Sequence, residues 1–106
     1  MCHLFKTQDP QTYRAETKPI RLHGHLTSIR LESAFWSILR EIAEHEGLSL
    51  AQFLTILHDE VLERHGKVAN FASYLRVTCL KYLRNLELYD AQVLGSKRIH
   101  EMVAST

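Results

Sequence analysis

The chain has 106 residues and a mass of 12.3 kDa, which is enough for one hydrophobic core and too little for two ordinary domains. Apolar residues make up 45% of it, yet no apolar run reaches the roughly 18 to 20 residues that cross a bilayer, which argues against an integral membrane protein. The N-terminus lacks the pattern of a secretory signal, and Cys2 and Cys79 have no disulfide or zinc spacing. We therefore expect a reduced, cytoplasmic protein.

The formal net charge is only +1, but the charges are distributed unevenly along the chain. Residues 1–31 have a net charge of +3, residues 32–66 a net charge of −5, and residues 67–106 a net charge of +3. A basic segment beside an acidic one favours a one-sided surface for phosphate groups.

The first 20 residues contain both prolines, Pro10 and Pro19, and show no clear hydrophobic period. We therefore predict an irregular N-terminal arm over residues 1–20. The alternation that follows, at residues 27–31, is typical of a β-strand. It predicts that Thr27, Ile29 and Leu31 face inward and that Leu26, Ser28 and Arg30 face outward.

A lone strand cannot satisfy its own backbone hydrogen bonds or bury its apolar side chains. The alternating segment is followed by helical patterns, and the sequence shows no second strand to pair with it. A second copy of the chain is the natural partner, so we expect an obligate homodimer.

Three helices are expected after the strand. The first begins near Ser33 and ends at Gly47, a candidate left-handed cap. The second begins at Ser49, which can form a capping box with Gln52, and the third begins after Asn70. Apolar residues cover more than one side of the third helix, so it can bury two surfaces, one of them against another subunit. The pattern of the tail from residue 90 fits either a short helix or a mobile end.

This order of strand, helix, Gly47-Leu48-Ser49 and helix resembles the ribbon-helix-helix family of small bacterial DNA-binding proteins, which includes the Arc and methionine repressors. The resemblance covers about residues 25–62. The longer span 18–83, with Arg-Leu-His-Gly-His before Thr-Ser-Ile-Arg-Leu-Glu, resembles a less studied branch with a presumed DNA-binding ribbon. The resemblance implies a mainly α fold with one short β-strand and an extra C-terminal helix. It also implies an intertwined homodimer with an intermolecular two-stranded antiparallel ribbon.

The expected domain organisation follows from this resemblance. Residues 1–20 form the arm, residues 21–66 the ribbon-helix-helix domain, and residues 67–106 a C-terminal helix and tail that pack on the same core. The homodimer is the expected assembly, with higher order possible through the C-terminal helix.

In this family the ribbon enters the major groove of DNA. Carried over by position, the base-contacting residues are Leu26, Ser28 and Arg30, of which Arg30 can donate two hydrogen bonds to guanine. The phosphate contacts come from the start of the second helix and from the arm, at Ser49, Leu50, Ala51, Lys18 and Arg21. The shared dimer core consists of Thr27, Ile29, Leu31, Phe35, Leu39, Ile42, Phe53, Leu54 and Leu57.

Leu26 departs from the family pattern, which usually has a polar or basic residue at this position. One interpretation is contact with a thymine methyl group. The other is a ribbon that reads little sequence or has lost DNA binding.

Other residues allow other hypotheses. His23-Gly24-His25 places two imidazoles together, but no third ligand is fixed by spacing, so we predict no metal and no other cofactor. We expect Phe35 and Cys79 in the core, and Trp36 either at its edge or in a partner site. No catalytic constellation is visible, so we expect no enzymatic activity.

The favoured function is sequence-specific or semi-specific binding of double-stranded DNA by a homodimeric ribbon-helix-helix transcriptional regulator. The alternative is a dimeric protein-interaction module, antitoxin-like or an adaptor. It would use the third helix and Trp36 and bind DNA weakly or not at all.

Overall fold

The computed structural model describes residues 8–86. In chain order the elements are α1 (Pro10–Tyr13), β1 (Ala15–Leu22), β2 (His25–Glu32), α2 (Ser33–His45), α3 (Leu50–His65) and α4 (Phe71–Arg84). This part of the chain is mainly helical, with one two-stranded antiparallel sheet. No helix within residues 8–86 has the length and apolar character needed to cross a membrane.

The strand predicted near residues 25–31 has a partner within its own chain. β1 pairs with β2 in an antiparallel hairpin, from Ala15 opposite Glu32 to Leu22 opposite His25. The turn residues His23 and Gly24 have φ angles of 51° and 81°, the positive pair that a two-residue type I′ turn requires. The prediction of an irregular arm is therefore wrong for the residues that form α1 and β1. The argument that β2 needs a second chain to satisfy its backbone is wrong as well.

Both prolines occupy positions where a missing N–H is tolerated. Pro10 is the first residue of α1, where a backbone N–H has no intrahelical acceptor, and Asp9 caps this helix. Pro19 lies in β1, which has β2 on one side and no other strand of residues 8–86 on the other. The prolines therefore do not interrupt regular structure, although the sequence predicted that they would.

The inner face of the hairpin is only partly covered by helices. Ile29 and Leu31 are buried, as predicted, but Thr27 is exposed. Its cross-strand partner Ile20 is only 7% exposed, because α3 packs against β1. The helical layer covers β1 near the turn and leaves the adjacent part of β2 open. The predicted burial of Thr27 is therefore wrong for the single chain.

One hydrophobic core lies between the hairpin and the three long helices. The predicted dimer-core residues that are buried within this single chain are Ile29, Leu31, Leu39, Ile42, Phe53, Leu54 and Leu57. The remaining members of the core are Ile20, Leu22, Trp36, Ala43, Leu75, Cys79 and Tyr82.

Trp36, and not Phe35, is the fully buried aromatic residue of α2. Its indole Nε1 donates a hydrogen bond to the Glu16 carbonyl oxygen at 2.9 Å, so the ring is tied to β1. Phe35 is half-buried and packs against the core. The prediction that Phe35 is in the core and Trp36 at its edge is therefore wrong. The sequence did not reveal β1, which packs on the indole and supplies its hydrogen-bond acceptor.

The predicted helix boundaries are confirmed by their caps. α2 ends at His45 with Glu46 as its C-cap, and Gly47 follows with a φ of 69°. The Ser49 hydroxyl accepts from the Gln52 N–H at 3.1 Å, and the Gln52 side chain accepts from the Ser49 N–H at 2.8 Å. Asn70 caps α4 by accepting from the Ser73 N–H at 3.2 Å. Local side-chain chemistry therefore determines where these helices begin and end.

Side-chain hydrogen bonds join α4 to the other elements, among them a weak one from Cys79 Sγ to the Phe35 carbonyl oxygen at 3.7 Å. Arg76 Nε donates to Glu32 Oε1 at 3.0 Å, and the Tyr82 hydroxyl donates to Glu41 Oε2 at 2.6 Å. Cys79 is fully buried on the same helix, as predicted, and burial raises the pKa of its thiol to about 12. The tail from residue 90 and Cys2 lie outside the described residues.

We predict that Ile20→Ala lowers the free energy of unfolding by about 2 to 5 kcal/mol, because it removes a buried side chain from the core. Urea denaturation followed by circular dichroism measures this change. Leu26→Ala is the matched control, because Leu26 is 65% exposed on the neighbouring strand and its loss should cost about 0.5 kcal/mol or less. Equal effects of the two changes would contradict the placement of β1 in the core.

We further predict a depressed pKa for Glu32. A hydrogen bond from its own backbone N–H is the main cause, followed by the hydrogen bond from Arg76. Because the native pKa is lowered, this carboxylate stabilises the fold above its ordinary pKa, and the stabilisation is lost as pH falls through the native value. Carboxyl NMR titration should show the Glu32 pKa rising part of the way in Arg76→Gln and staying unchanged in Arg84→Gln. An unchanged pKa in Arg76→Gln would contradict the contact.

Candidate nucleic-acid interface

The hairpin separates apolar and polar side chains onto two faces. Residues directly opposite each other in an antiparallel pair point to the same side of the sheet. The outer face, as we call the exposed side, consists of the opposed pairs Thr17 and Arg30, Pro19 and Ser28, and Arg21 and Leu26. All six residues are exposed. The three predicted base-contacting residues therefore lie together on one exposed surface.

Two arginines stand at opposite ends of the outer face. The Arg30 guanidinium donates to the Thr17 hydroxyl at 3.3 Å, and the Arg21 guanidinium donates to the Gly24 carbonyl oxygen at 3.2 Å. Leu26, the partner of Arg21, precedes Arg30 by four residues, which corresponds to about 14 Å along a strand. The six side chains include no acidic group, and the next carboxylate on this side of the sheet, that of Glu32, is paired with Arg76. This face can bind anionic or hydrogen-bond-accepting groups at two separated points.

Lys18 lies on the other face of the hairpin. It is opposite Ile29, and its ammonium is 3.2 Å from a Glu16 carboxylate oxygen and 5.8 Å from the centre of the Trp36 ring. These contacts hold the lysine against the helical side. Lys18 is therefore not part of the outer face, and its phosphate contact stays a prediction.

The start of α3 offers backbone donors. The capping box uses the Ser49 N–H and the Ser49 hydroxyl, which leaves the first-turn amides of Leu50 and Ala51 without intrahelical acceptors. Of the three residues predicted to contact phosphate here, Leu50 and Ala51 thus have the available N–H groups, and Ser49 fixes the helix start.

Sequence reasoning missed the part of the outer face that comes from β1. The sequence predicts Pro19 in an irregular arm and Arg21 as a phosphate contact from that arm, and it assigns no role to Thr17. Two signals were available: the short alternation Ile20-Arg21-Leu22, and a two-residue link ending in Gly24 between it and the run that follows. The prolines and the short length of each run obscured both.

Comparisons with known proteins agree with this architecture. The solved structure of an uncharacterized protein from Bordetella pertussis Tohama I is similar, with a TM-score of 0.80 and 36% sequence identity. The similarity covers 92% of this chain and 79% of the other. No curated protein matches the chain.

The sequence also matches the ribbon-helix-helix domain over residues 15–83, and such a domain suggests a DNA-binding regulator. This span contains both strands of the hairpin and nearly all of the three long helices. The chain belongs to the ribbon-helix-helix family.

Proposed function

We propose that this chain is a transcriptional regulator of the bacterial cytoplasm that inserts the outer face of its hairpin into the major groove of double-stranded DNA. The observation that carries the proposal is the exposure of Arg21, Arg30 and Ser28 on one side of a two-stranded ribbon. The major groove admits a ribbon of this width and displays hydrogen-bonding groups on every base pair. The protein acts by binding alone, without catalysis.

The side chains of the outer face have different roles in this proposal. Arg30, steadied by Thr17, donates to guanine, while Ser28 contacts a base edge or the backbone. The exposed Leu26 packs on thymine methyl groups, and Arg21 neutralises a phosphate beside the turn. The amides of Leu50 and Ala51 receive another phosphate at the start of α3. Phosphate neutralisation supplies most of the affinity, and the ribbon supplies specificity.

We propose that the regulator is a homodimer whose subunits meet at α4. Pairing through the free edges of two β2 strands would give a sheet of four strands, roughly 14 Å across between its outer backbones. That is wider than the groove, which is about 12 Å wide. α4 instead carries an apolar stripe of Val77, Leu80 and Leu83, which are 49%, 52% and 46% exposed. A second copy can cover this stripe and leave each hairpin free to enter DNA.

The same stripe favours a second candidate function, a protein-interaction module in which another protein covers α4. Trp36 has no part in it, because the indole is fully buried. The two candidates differ in what they require of the hairpin. Only DNA binding needs the charges of the outer face.

We predict that duplexes selected from a random pool bind the wild-type chain with an affinity that falls steeply as salt rises. Arg30→Ala should cost about 1 to 3 kcal/mol and relax the selected sequence, because it removes a base contact. Arg21→Ala should weaken all duplexes similarly and reduce the slope of log affinity against log salt by about one. Fluorescence anisotropy over a salt series measures both effects.

Arg84→Ala is the control for this experiment, because it removes an exposed positive charge at the end of α4. It should change affinity far less than either hairpin variant. Equal losses in all three variants, or weak binding that does not depend on salt, would contradict insertion of the hairpin and favour the interaction module.

We predict that Leu80→Glu converts the dimer to a folded monomer, because it places a charge in the apolar stripe of α4. Sedimentation velocity measures the change. Tyr13→Glu is the control, because Tyr13 is 57% exposed in α1, and it should leave the dimer intact. A dimer that survives Leu80→Glu but is lost in Thr27→Lys would contradict the α4 interface and place the contact on β2.

A further inference from the structure

The turn of the hairpin reaches α3 and forms a cluster of metal-ligating side chains there. One ring nitrogen each from His23 and His58 and one carboxylate oxygen of Asp59 lie within 4.8 Å of one another. His23 Nε2 pairs directly with Asp59 Oδ1. The two imidazole rings are tilted at 54°, with their centres 5.8 Å apart. Two separate elements therefore direct nitrogen and oxygen ligands to one point.

His58 supplies a second, independent observation. Its Nδ1 is buried and has no hydrogen-bond partner within residues 8–86. The ring is held by Phe71, which it meets edge to face with ring centres 5.2 Å apart. Buried polar atoms are normally satisfied, so a buried nitrogen without a partner on one of the three clustered side chains indicates a missing interaction.

We propose that His23, His58 and Asp59 form a binding site for a divalent transition metal of the zinc type. Imidazole nitrogen and carboxylate oxygen are ordinary zinc ligands, and three protein ligands leave a fourth position for water. Tetrahedral zinc sets its ligand atoms about 3.3 Å apart, so the wider separations in the cluster must contract by up to roughly 1.5 Å, while His23 Nε2 and Asp59 Oδ1 must move apart. The His23 side chain is 47% exposed and lies in a two-residue turn, which gives it room for that movement.

The site differs from the His23-Gly24-His25 pair that the sequence analysis discussed. His25, the other histidine beside Gly24, is exposed opposite Leu22 and is not part of the cluster. The carboxylate ligand, Asp59, comes from α3, 36 residues beyond His23 in the chain. Spacing in the sequence could not reveal it.

A metal at this point would join the hairpin turn to the middle of α3. The hairpin is already joined to α4 at its other end by the pair of Glu32 and Arg76. The metal would therefore restrict rotation of the whole hairpin against the helices. The site uses no residue of the outer face, so the inference does not depend on DNA binding.

Titration of the full chain with zinc chloride, followed by isothermal calorimetry and by the thermal unfolding midpoint, tests the inference. We expect wild type to bind zinc and to gain thermal stability from it, and magnesium chloride to have no such effect. His23→Gln and Asp59→Asn should each weaken this binding by about tenfold or more. His25→Gln is the matched control and should bind zinc as wild type does.

His23→Gln is the decisive variant, because His23 is exposed and its replacement leaves the packing of His58 on Phe71 in place. Circular dichroism without metal verifies that the variant is folded. Zinc held elsewhere, for example by Cys2 and His3, would persist in His23→Gln. Equal zinc affinity in wild type and His23→Gln, or an equal loss in His25→Gln, would overturn the inference. No DNA is present, so failure here leaves the proposed function untouched.

Discussion

Backbone pairing between β1 and β2 is the contact on which the other features of this chain depend. It gives β2 a partner, places Ile20 in the core, and brings the Glu16 carbonyl to the indole of Trp36. The two strands are joined by a two-residue turn, so closing the hairpin costs little chain entropy. The ribbon is therefore complete within one chain. The backbone of β2 therefore needs no second copy of the chain.

The same pairing connects core packing with the proposed reading of DNA. Neighbouring residues in a strand point to opposite faces, so the burial of Ile29 and Leu31 forces Arg30 outward between them. A slip of one residue would bury the arginine and expose both apolar side chains. The hydrophobic core thus fixes the register, and the register fixes which groups the outer face presents.

The hairpin is held against the helices at both ends. Arg76 of α4 binds Glu32 where β2 ends, and Asp59 of α3 binds His23 in the turn. The buried indole of Trp36 adds a third attachment near the start of β1. A binding surface that is already oriented loses less conformational freedom on association. This attachment would make the hairpin a preorganised element for recognition, and the proposed metal would strengthen it.

The sequence by itself determined the local features of this protein. Alternation marked β2, and Gly47, Ser49 and Asn70 marked helix ends, because a cap or a strand pattern acts through residues a few positions away. The resemblance carried by those elements was sufficient to identify the family.

Only the tertiary structure decided which distant residues meet. It placed β1 beside β2, buried Trp36 in preference to Phe35, left Thr27 exposed, and joined His23 to Asp59. Each of these outcomes depends on how one element covers another. Pro19 concealed β1 because a proline argues against a strand until it is known that the strand lies at an edge. Burial is a property of the assembled layers, and no short stretch of sequence contains it.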